Sequence, residues 1–388
     1  MSRHTSYDVT DRITFGTLWS AMVRYARHQD TTLIQQHLAK SGIAKEGKRL
    51  VYFSYGRGAL YTLFKEKFAG KEIIFPAFIC PSIILAAVKA GAKPRFIDVS
   101  LNDFNLDAGL ISNQDLEHAA ALFVNHTFGV PAEMEAIQTK IKDSPIYLIE
   151  DIAQALFAKA KGQYLGAFGD TVLVSMYKQT PNLSGAILVS DLEIREPPRS
   201  DISLGGLIRL FWLTSGPHDF LLKALRQRRE LPEEEPDQKW PAPRQPCRLA
   251  LALFALLLPT LKESVACKQI IAKHYQKRAG ESPYFIPQQV GAAEEPAWFN
   301  FSVRLRPEIV HIRDALLLAL RRKGIFCDRL WHDAPVALGI SKEHLTGEYP
   351  NAQLLAKSVI NLPIKAAYQE SDVDYLFDAI EQTIQGLI

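Results

Sequence analysis

Lys178 stands in a polar turn, Tyr177–Gly185, between two apolar, β-branched stretches, Asp170–Ser175 (DTVLVS) and Ala186–Ser190 (AILVS). Stretches of that composition, bounded by turn residues, read as buried strands. The lysine therefore sits where one strand ends and before the next begins. An ordinary solvated loop lysine is the plainest reading, because charged side chains are mostly exposed. Two further groups argue for chemistry. Tyr147–Ala155 (YLIEDIAQA) is an apolar run that ends in Glu150-Asp151 and is followed by Gln154, and Tyr55–Leu60 (YGRGAL) sets a glycine turn around Arg57 and Gly58. A lysine, a strand-end carboxylate and a glycine turn at a helix start are the parts that bind pyridoxal phosphate. The lysine forms an imine with the aldehyde, the carboxylate keeps the ring nitrogen protonated, and unpaired backbone N–H groups take the phosphate. The glycine pair alone is also what an ordinary tight turn looks like.

These residues need a sheet to hold them. Leu50–Ser54 reads as a strand, and Gly56-Arg57-Gly58 leads from it into a helix, Ala59–Phe68. A strand at Glu72–Phe75 is followed by a helix over Ile83–Ala90, with Ser82 placed to cap it. Strands at Pro94–Val99 and Ala121–Asn125, a helix at Glu133–Ile141 and a strand at Tyr147–Ile149 continue the alternation. Strand and helix alternating at short spacing predict an α/β fold with a mainly parallel sheet. Ligands in such sheets sit at the carboxyl ends of strands. His126, Asp151 and Lys178 all fall there.

The rest of the chain bounds the function. At 388 residues it is long for one core, and 47% hydrophobic with 22% charged residues marks it as globular. A formal net charge of +3 does not argue for nucleic acid. Cys80, Cys247, Cys267 and Cys327 show no metal-binding spacing, which suits reduced thiols in a cytoplasmic protein. The start of the chain lacks a signal-peptide pattern. The apolar run Leu249–Leu258 is shorter than the roughly 20 residues that span a bilayer.

The expected organisation is an N-terminal helical segment (1–49), a large cofactor-binding domain (50–246), a long helical connector suited to a dimer interface (247–282) and a small α+β domain (283–388). Prolines clustered over 191–246 read as an insertion. Within it, residues 203–229 combine Leu204, Leu207, Ile208, Phe211 and Trp212 with later basic residues. That mixture suits either an interfacial membrane element or a lid or dimer arm.

The segments SYGRGAL (54–60), FPAFICPSIILAAVKAGAKPRFIDV (75–99), VNHTFGVPAEME (124–135), IEDIAQA (149–155), LGAFGD (165–170), SMYKQTPNLSGA (175–186) and INLPI (360–364) together resemble the DegT/StrS family of sugar aminotransferases. The resemblance implies a three-layer α/β sandwich of the pyridoxal-phosphate transferase type and a homodimer in the cytoplasm. It also implies transfer of an amino group, with a glutamate-like donor, to a nucleotide-linked keto sugar in polysaccharide or glycoconjugate synthesis. Carried over by position, Lys178 is the imine-forming lysine and Asp151 the partner of the ring nitrogen. Gln154 lies by the ring, and Arg57, Gly58 and Ser175 touch the phosphate. His126 is the family's strand-end histidine near the cofactor.

Three departures stand out. Cys80 occupies the place of the usual ring-stacking aromatic, with Phe78 nearby as a substitute, and the serine-to-lysine spacing is shorter than usual. The family's Gly-x-Asn-x-Arg segment has no clear counterpart. Arg304 and Arg329 are the candidates for a substrate-carboxylate clamp. A pyridoxal-phosphate enzyme of another reaction type and a non-catalytic scaffold of the same fold are the competing readings.

Overall fold

The computed structural model describes residues 12–25, 30–214, 242–331 and 347–388, with positions 224, 225, 227, 231, 333 and 335 besides. The second half of the 203–229 segment thus lies almost wholly outside the described residues. Numbered along the chain, the strands begin with β1 (Arg49–Phe53), β2 (Glu72–Pro76), β3 (Lys93–Ile97), β4 (Ala119–Asn125) and β5 (Tyr147–Asp151). They continue with β6 (Lys159–Ala160), β7 (Gln163–Tyr164), β8 (Thr171–Ser175), β9 (Ala186–Ser190), β10 (Phe285–Pro287), β11 (Glu294–Glu295), β12 (Phe301–Leu305) and β13 (Val359–Leu362).

Seven of them form the main sheet in the order β1-β9-β8-β5-β4-β2-β3. The pairs β2–β3, β2–β4, β4–β5 and β5–β8 are parallel, and β9 runs antiparallel to both β8 and β1. The sheet is therefore α/β and mainly parallel.

Its two faces are packed separately, as the period of two in a strand requires. Ile74, Leu122, Leu148, Val172, Val174 and Ile187 enter one core, covered by the helix Asp30–Lys40 through Ile34 and Leu38 and by Phe254 and Leu258. Ile73, Phe75, Phe123, Ile149, Leu173 and Leu188 enter the other, covered by the helices Gly56–Leu63 and Pro81–Lys89.

Several boundaries differ from the pattern. The helix after β1 begins at Gly56, and its last turns, Phe64–Phe68, widen into a π-helix. Pro81 opens the next helix with Cys80 as its N-cap, so Ser82 lies inside it. Proline is favoured there because its missing N–H would be unpaired anyway. The apolar run 297–305 forms a strand only from Phe301. Ala297 and Phe299 instead donate to the carbonyls of Gly129 and Phe128, at 2.9 Å each. Gln369 caps the last helix and forms a capping box with Asp372.

The helix Arg248–Glu281 is long and apolar enough to cross a membrane by length and composition. In the fold its apolar side chains run through successive cores. Ala250, Ala252 and Leu253 pack with Ile13, Ala21 and Leu213, and Phe254–Val265 lie under the large sheet. Ile271, Ala272, Tyr275 and Ala279 pack on the small antiparallel sheet β10-β12-β13. The apolarity of Leu249–Leu261 is thus largely used inside the protomer, and it gives no argument for a partner.

Exposed apolar faces lie elsewhere. Phe15, Trp19, Met22 and Val23 on the helix Phe15–Tyr25 are exposed, as are Leu204, Leu207, Ile208 and Phe211 on the helix Leu204–Leu213. The second set repeats at i, i+3, i+4 and i+7, one stripe of a helix. The Ile13 N–H donates to the Leu213 carbonyl at 2.8 Å, and Arg12 Nη1 to the Trp212 carbonyl at 2.6 Å, so the start of the first helix meets the end of the second.

Candidate active site

At the carboxyl ends of β5 and β8, a cavity of about 370 Å3 opens on the sheet face that carries Leu173. Strand alternation selects what enters it. In β5 Asp151 shares its face with Ile149, while Glu150 points the other way with Leu148. In β8 Ser175 shares the face of Leu173. Asp151, Ser175 and Lys178 line the cavity together with Tyr55, Gly56, Arg57, Cys80 and Arg209. Five of the eight residues singled out from the sequence meet there: Arg57, Cys80, Asp151, Ser175 and Lys178.

The lysine loop is tightly held. Ser175 Oγ accepts from the backbone N–H groups of Tyr177 and Lys178, at 3.4 and 3.3 Å. The Met176 N–H donates to the Gly185 carbonyl, and the Gly185 N–H donates to the Ser54 carbonyl. Gly185 has φ 129°, and a Cβ there would stand 2.5 Å from Met176 Sδ, so glycine is required at this crossing. Ala186 pairs with both Ser175 and Phe53 and lines the cavity. Asn182, fully buried, fixes the far side of the loop by donating to the Ala250 carbonyl at 2.9 Å.

Electrostatically the cavity is built around two opposed groups. Burial pushes the Asp151 carboxyl above its usual range, against the pull of Lys178, of a 2.8 Å hydrogen bond from the Ala153 N–H, and of His126. Burial also opposes charge on Lys178. Cys80, Asp151 and Tyr177 favour the ammonium, however, and leave its pKa above that of an ordinary lysine.

Cys80, not Phe78, faces the cavity, and its Sγ lies 3.2 Å from Ser82 Oγ. Phe78 is buried edge-on against Phe128 and Trp331. Gly58 is the third residue of the helix and lies off the lining, and a Cβ there would stand 3.8 Å from Pro243. His126 and Gln154 also stay off the lining. The His126 ring accepts at Nδ1 from the Ala132 N–H at 3.0 Å and faces Glu150 Oε1 with Nε2 at 3.2 Å. Gln154 Oε1 accepts from the Phe128 N–H at 3.0 Å. Both side chains thus brace the β4–β5 loops.

Neither candidate carboxylate clamp reaches the cavity. Arg304 lies in β12 of the small sheet, and Arg329 Nε stands 3.3 Å from Asp314.

Sequence reasoning missed Arg209. It lies on the helix Leu204–Leu213, read from composition as part of an interfacial membrane element or of a lid or dimer arm, yet it lines the cavity beside Lys178. Its Nε donates to the Asn182 carbonyl at 3.0 Å, and its guanidinium carbon sits 5.4 Å from the centre of the Tyr177 ring. Tyr177 meets Tyr55 edge-on at 6.1 Å, and Arg57 lies 5.9 Å from the Tyr55 ring centre. The period of the helix carries no signal for this position. The reach of Arg209 depends on a packing that links residues 27 apart in sequence.

The residues fit pyridoxal phosphate. Asp151 is buried and hydrogen-bonded at Oδ1 to a neutral N–H, a setting that a protonated ring nitrogen improves. The start of the helix Gly56–Leu63 opens on the same cavity, with Tyr55 as an N-cap that makes no side-chain bond. Arg57, Arg209 and Lys178 outnumber Asp151 in charge, which suits a phosphate.

Comparison with known proteins agrees with the geometry. A pleiotropic regulatory protein of Geobacillus stearothermophilus is 34% identical over 135 residues, covering 34% of this chain and 36% of that protein. That match therefore spans only about a third of the relative's length. The spore coat polysaccharide biosynthesis protein SpsC of Bacillus subtilis is 22% identical over 337 residues, 84% of this chain and 83% of that protein. The crystal structure of the aminotransferase TlmJ from Streptoalloteichus hindustanus superposes with a TM-score of 0.74 at 18% identity, over 99% of this chain and 100% of that one. The model of the DegT/DnrJ/EryC1/StrS aminotransferase family matches residues 54–196 and 249–381, and the chain belongs to that family.

Proposed function

We propose that the protein is a pyridoxal-phosphate-dependent aminotransferase that moves an amino group from glutamate to a nucleotide-linked keto sugar in polysaccharide or glycoconjugate synthesis. The observation that carries the reading is the meeting of Lys178, Asp151 and the helix start at Gly56-Arg57 on one cavity. The family membership and the likeness to a polysaccharide biosynthesis protein support the substrate class.

When bound, the cofactor supplies the electron sink that makes a carbon-bound proton removable. The chain supplies the rest. Lys178 Nζ holds the cofactor and then takes and returns that proton. Asp151 keeps the ring nitrogen protonated through a charge-assisted hydrogen bond. Arg57, Ser175 and the N–H groups at the helix start receive the phosphate. Leu173, Ile83 and Cys80 wall the site and limit water.

The working form is a cytoplasmic homodimer in this reading. The exposed stripes of Phe15–Tyr25 and Leu204–Leu213 support it, since adjoining apolar faces of this kind mark interaction surfaces. A membrane face is the competing use of the same stripes.

The test is spectroscopic. The purified protein should absorb in the visible through its lysine-bound cofactor, and Lys178→Ala should lose the band. Borohydride reduction and digestion should place the pyridoxyl group on the peptide that contains Lys178. Adding L-glutamate should bleach the visible band. A protein that takes up no cofactor ends the reading, and one that takes it up but ignores glutamate is an enzyme of another reaction type.

A further inference from the structure

The helix Leu204–Leu213 falls in the stretch 197–248 that the family model leaves unmatched, yet it delivers a guanidinium to the lining of the cavity. We infer that Arg209 is an anion-binding residue of the active site, holding either the phosphate of the cofactor or the carboxylate of the amino donor. This rests on the reading of the site as a pyridoxal-phosphate site.

Three observations carry it. First, Arg209 is anchored rather than loose. Its Nε is spent on the carbonyl of Asn182, a fully buried residue in the loop that carries Lys178, and its guanidinium carbon lies over the Tyr177 ring. A guanidinium fixed at Nε and stacked on a ring still has its two terminal nitrogens for a two-pronged contact to an oxyanion. Secondly, both partners are neutral, a carbonyl and an aromatic ring, and among the described residues no carboxylate pairs with Arg209. Thirdly, Arg57 stacks on Tyr55, which meets Tyr177 edge-on, so the two guanidinium groups flank one tyrosine pair at the same cavity. Phosphate and carboxylate present the planar or near-planar oxygen pair that this arrangement suits.

The consequence is a site that draws one of its cationic groups from its own insertion. The sequence lacks a clear Gly-x-Asn-x-Arg segment, and Arg209 supplies a positive group from the same chain. Arg304 and Arg329, the candidates named from sequence, do not line this cavity.

The experiment compares wild type with Arg209→Gln and Arg209→Lys. Cofactor-free protein is titrated with pyridoxal phosphate and, separately, with pyridoxal, which lacks the phosphate. Loaded protein is then titrated with L-glutamate and the half-saturating concentration read from the bleaching of the visible band. Loss of a charge-assisted contact predicts a weakening of roughly tenfold or more in Arg209→Gln. If the phosphate is the ligand, pyridoxal phosphate weakens while pyridoxal is unchanged. If the carboxylate is the ligand, cofactor affinity holds and the glutamate midpoint rises. Arg209→Lys, which keeps charge but not the fork, should fall between. Thermal midpoints of the variants guard against misfolding, and the exposure of Arg209 predicts little change there. Cofactor and glutamate affinities both within twofold of wild type in Arg209→Gln overturn the inference. A wild type that binds no pyridoxal phosphate overturns the functional reading itself, and this inference with it.

Discussion

Glu150 and Asp151 are neighbours in β5 and face opposite sides of the sheet. Glu150 is completely buried and accepts from the N–H groups of Gly166, Phe168 and Gly169, at 2.5, 3.1 and 2.7 Å. His126 lies on the same carboxylate. Asp151, one residue on, opens into the cavity and accepts from the backbone N–H of Ala153. The first carboxylate therefore organises the Leu165–Asp170 loop and the second is free for chemistry.

The pair should separate stability from activity. Glu150→Ala leaves three backbone donors and a histidine without their acceptor in a dry site. It should cost about 3 kcal/mol or more in denaturant unfolding. Asp151→Asn keeps the Ala153 bond and the shape, so it should unfold close to wild type while turnover collapses. Near-normal turnover in Asp151→Asn would remove Asp151 from its assigned place.

Cofactor capture should depend on pH in an unusual way. Capture needs the neutral Lys178 amine. Burial lowers its pKa, but Cys80, Asp151 and Tyr177 outweigh burial and raise it above 10.5. The rate at which cofactor-free protein takes up pyridoxal phosphate should then keep rising with pH beyond the range of an ordinary lysine. Asp151→Asn removes one of the raising charges, so it should capture cofactor faster at neutral pH even though it turns over poorly. Stopped-flow uptake at several pH values reads this directly. Slower uptake in Asp151→Asn would contradict the electrostatic account.

Acid should unfold the protein through a few identifiable carboxylates. Burial opposes charge on Asp115, but hydrogen bonds from Ser112 and Arg95 outweigh it and hold its pKa below 3.8. Burial likewise opposes charge on Asp374, and bonds from His274 and Arg278 hold its pKa below 3.8. A depressed carboxylate stabilises the fold above its unfolded pKa, and this stabilisation is lost as pH falls through the folded one. Thermal midpoints should therefore drop as pH falls below about 4, and Asp115→Asn should flatten part of that slope. An unchanged slope in the variant would place the acid sensitivity elsewhere.

Gly129 should tolerate no side chain. Its φ is 92°, and a Cβ would stand 2.6 Å from the Phe299 N and 2.8 Å from the Gln154 carbonyl oxygen. Both are backbone atoms, so neither can turn aside. Gly129→Ala should destabilise by roughly 2 kcal/mol or more, read as a lower urea midpoint. Gly162→Ala, also at positive φ but with nothing within 4 Å, should cost less.

The exposed stripes should decide assembly. Sedimentation at micromolar concentration should show a dimer in the wild type and a monomer when Trp19 and Phe211 are both replaced by serine. A monomeric wild type that pellets with anionic vesicles at low salt would give those stripes to the membrane instead.

Much of this site was legible because parallel strands announce themselves. The runs ending at Asn125, Asp151 and Ser175 are apolar and β-branched, and chemistry in such sheets gathers at their ends. Lys178 and Asp151 followed from that, Arg57 from the glycine turn after the first strand, and Ser175 and Cys80 from the resemblance to the family. The face on which each residue points was harder. His126 and Gln154 lie just beyond the strands that end at Asn125 and Asp151, yet their side chains are taken up by Glu150, Ala132 and Phe128. Those contacts join loops distant in sequence. Arg209 was invisible for the same reason. A helix pattern reports which side is apolar, and not which neighbour a basic residue on its edge will reach.

The helix Arg248–Glu281 crosses three hydrophobic clusters, entering beside the N-terminal helix, passing beneath the large sheet and ending against the small one. A strut shared in this way ties the fates of its neighbours. Neither sheet can lose its packing without stripping apolar area from the same continuous element, so the folding units are thermodynamically coupled through it. The chain should accordingly melt in one cooperative calorimetric step rather than two.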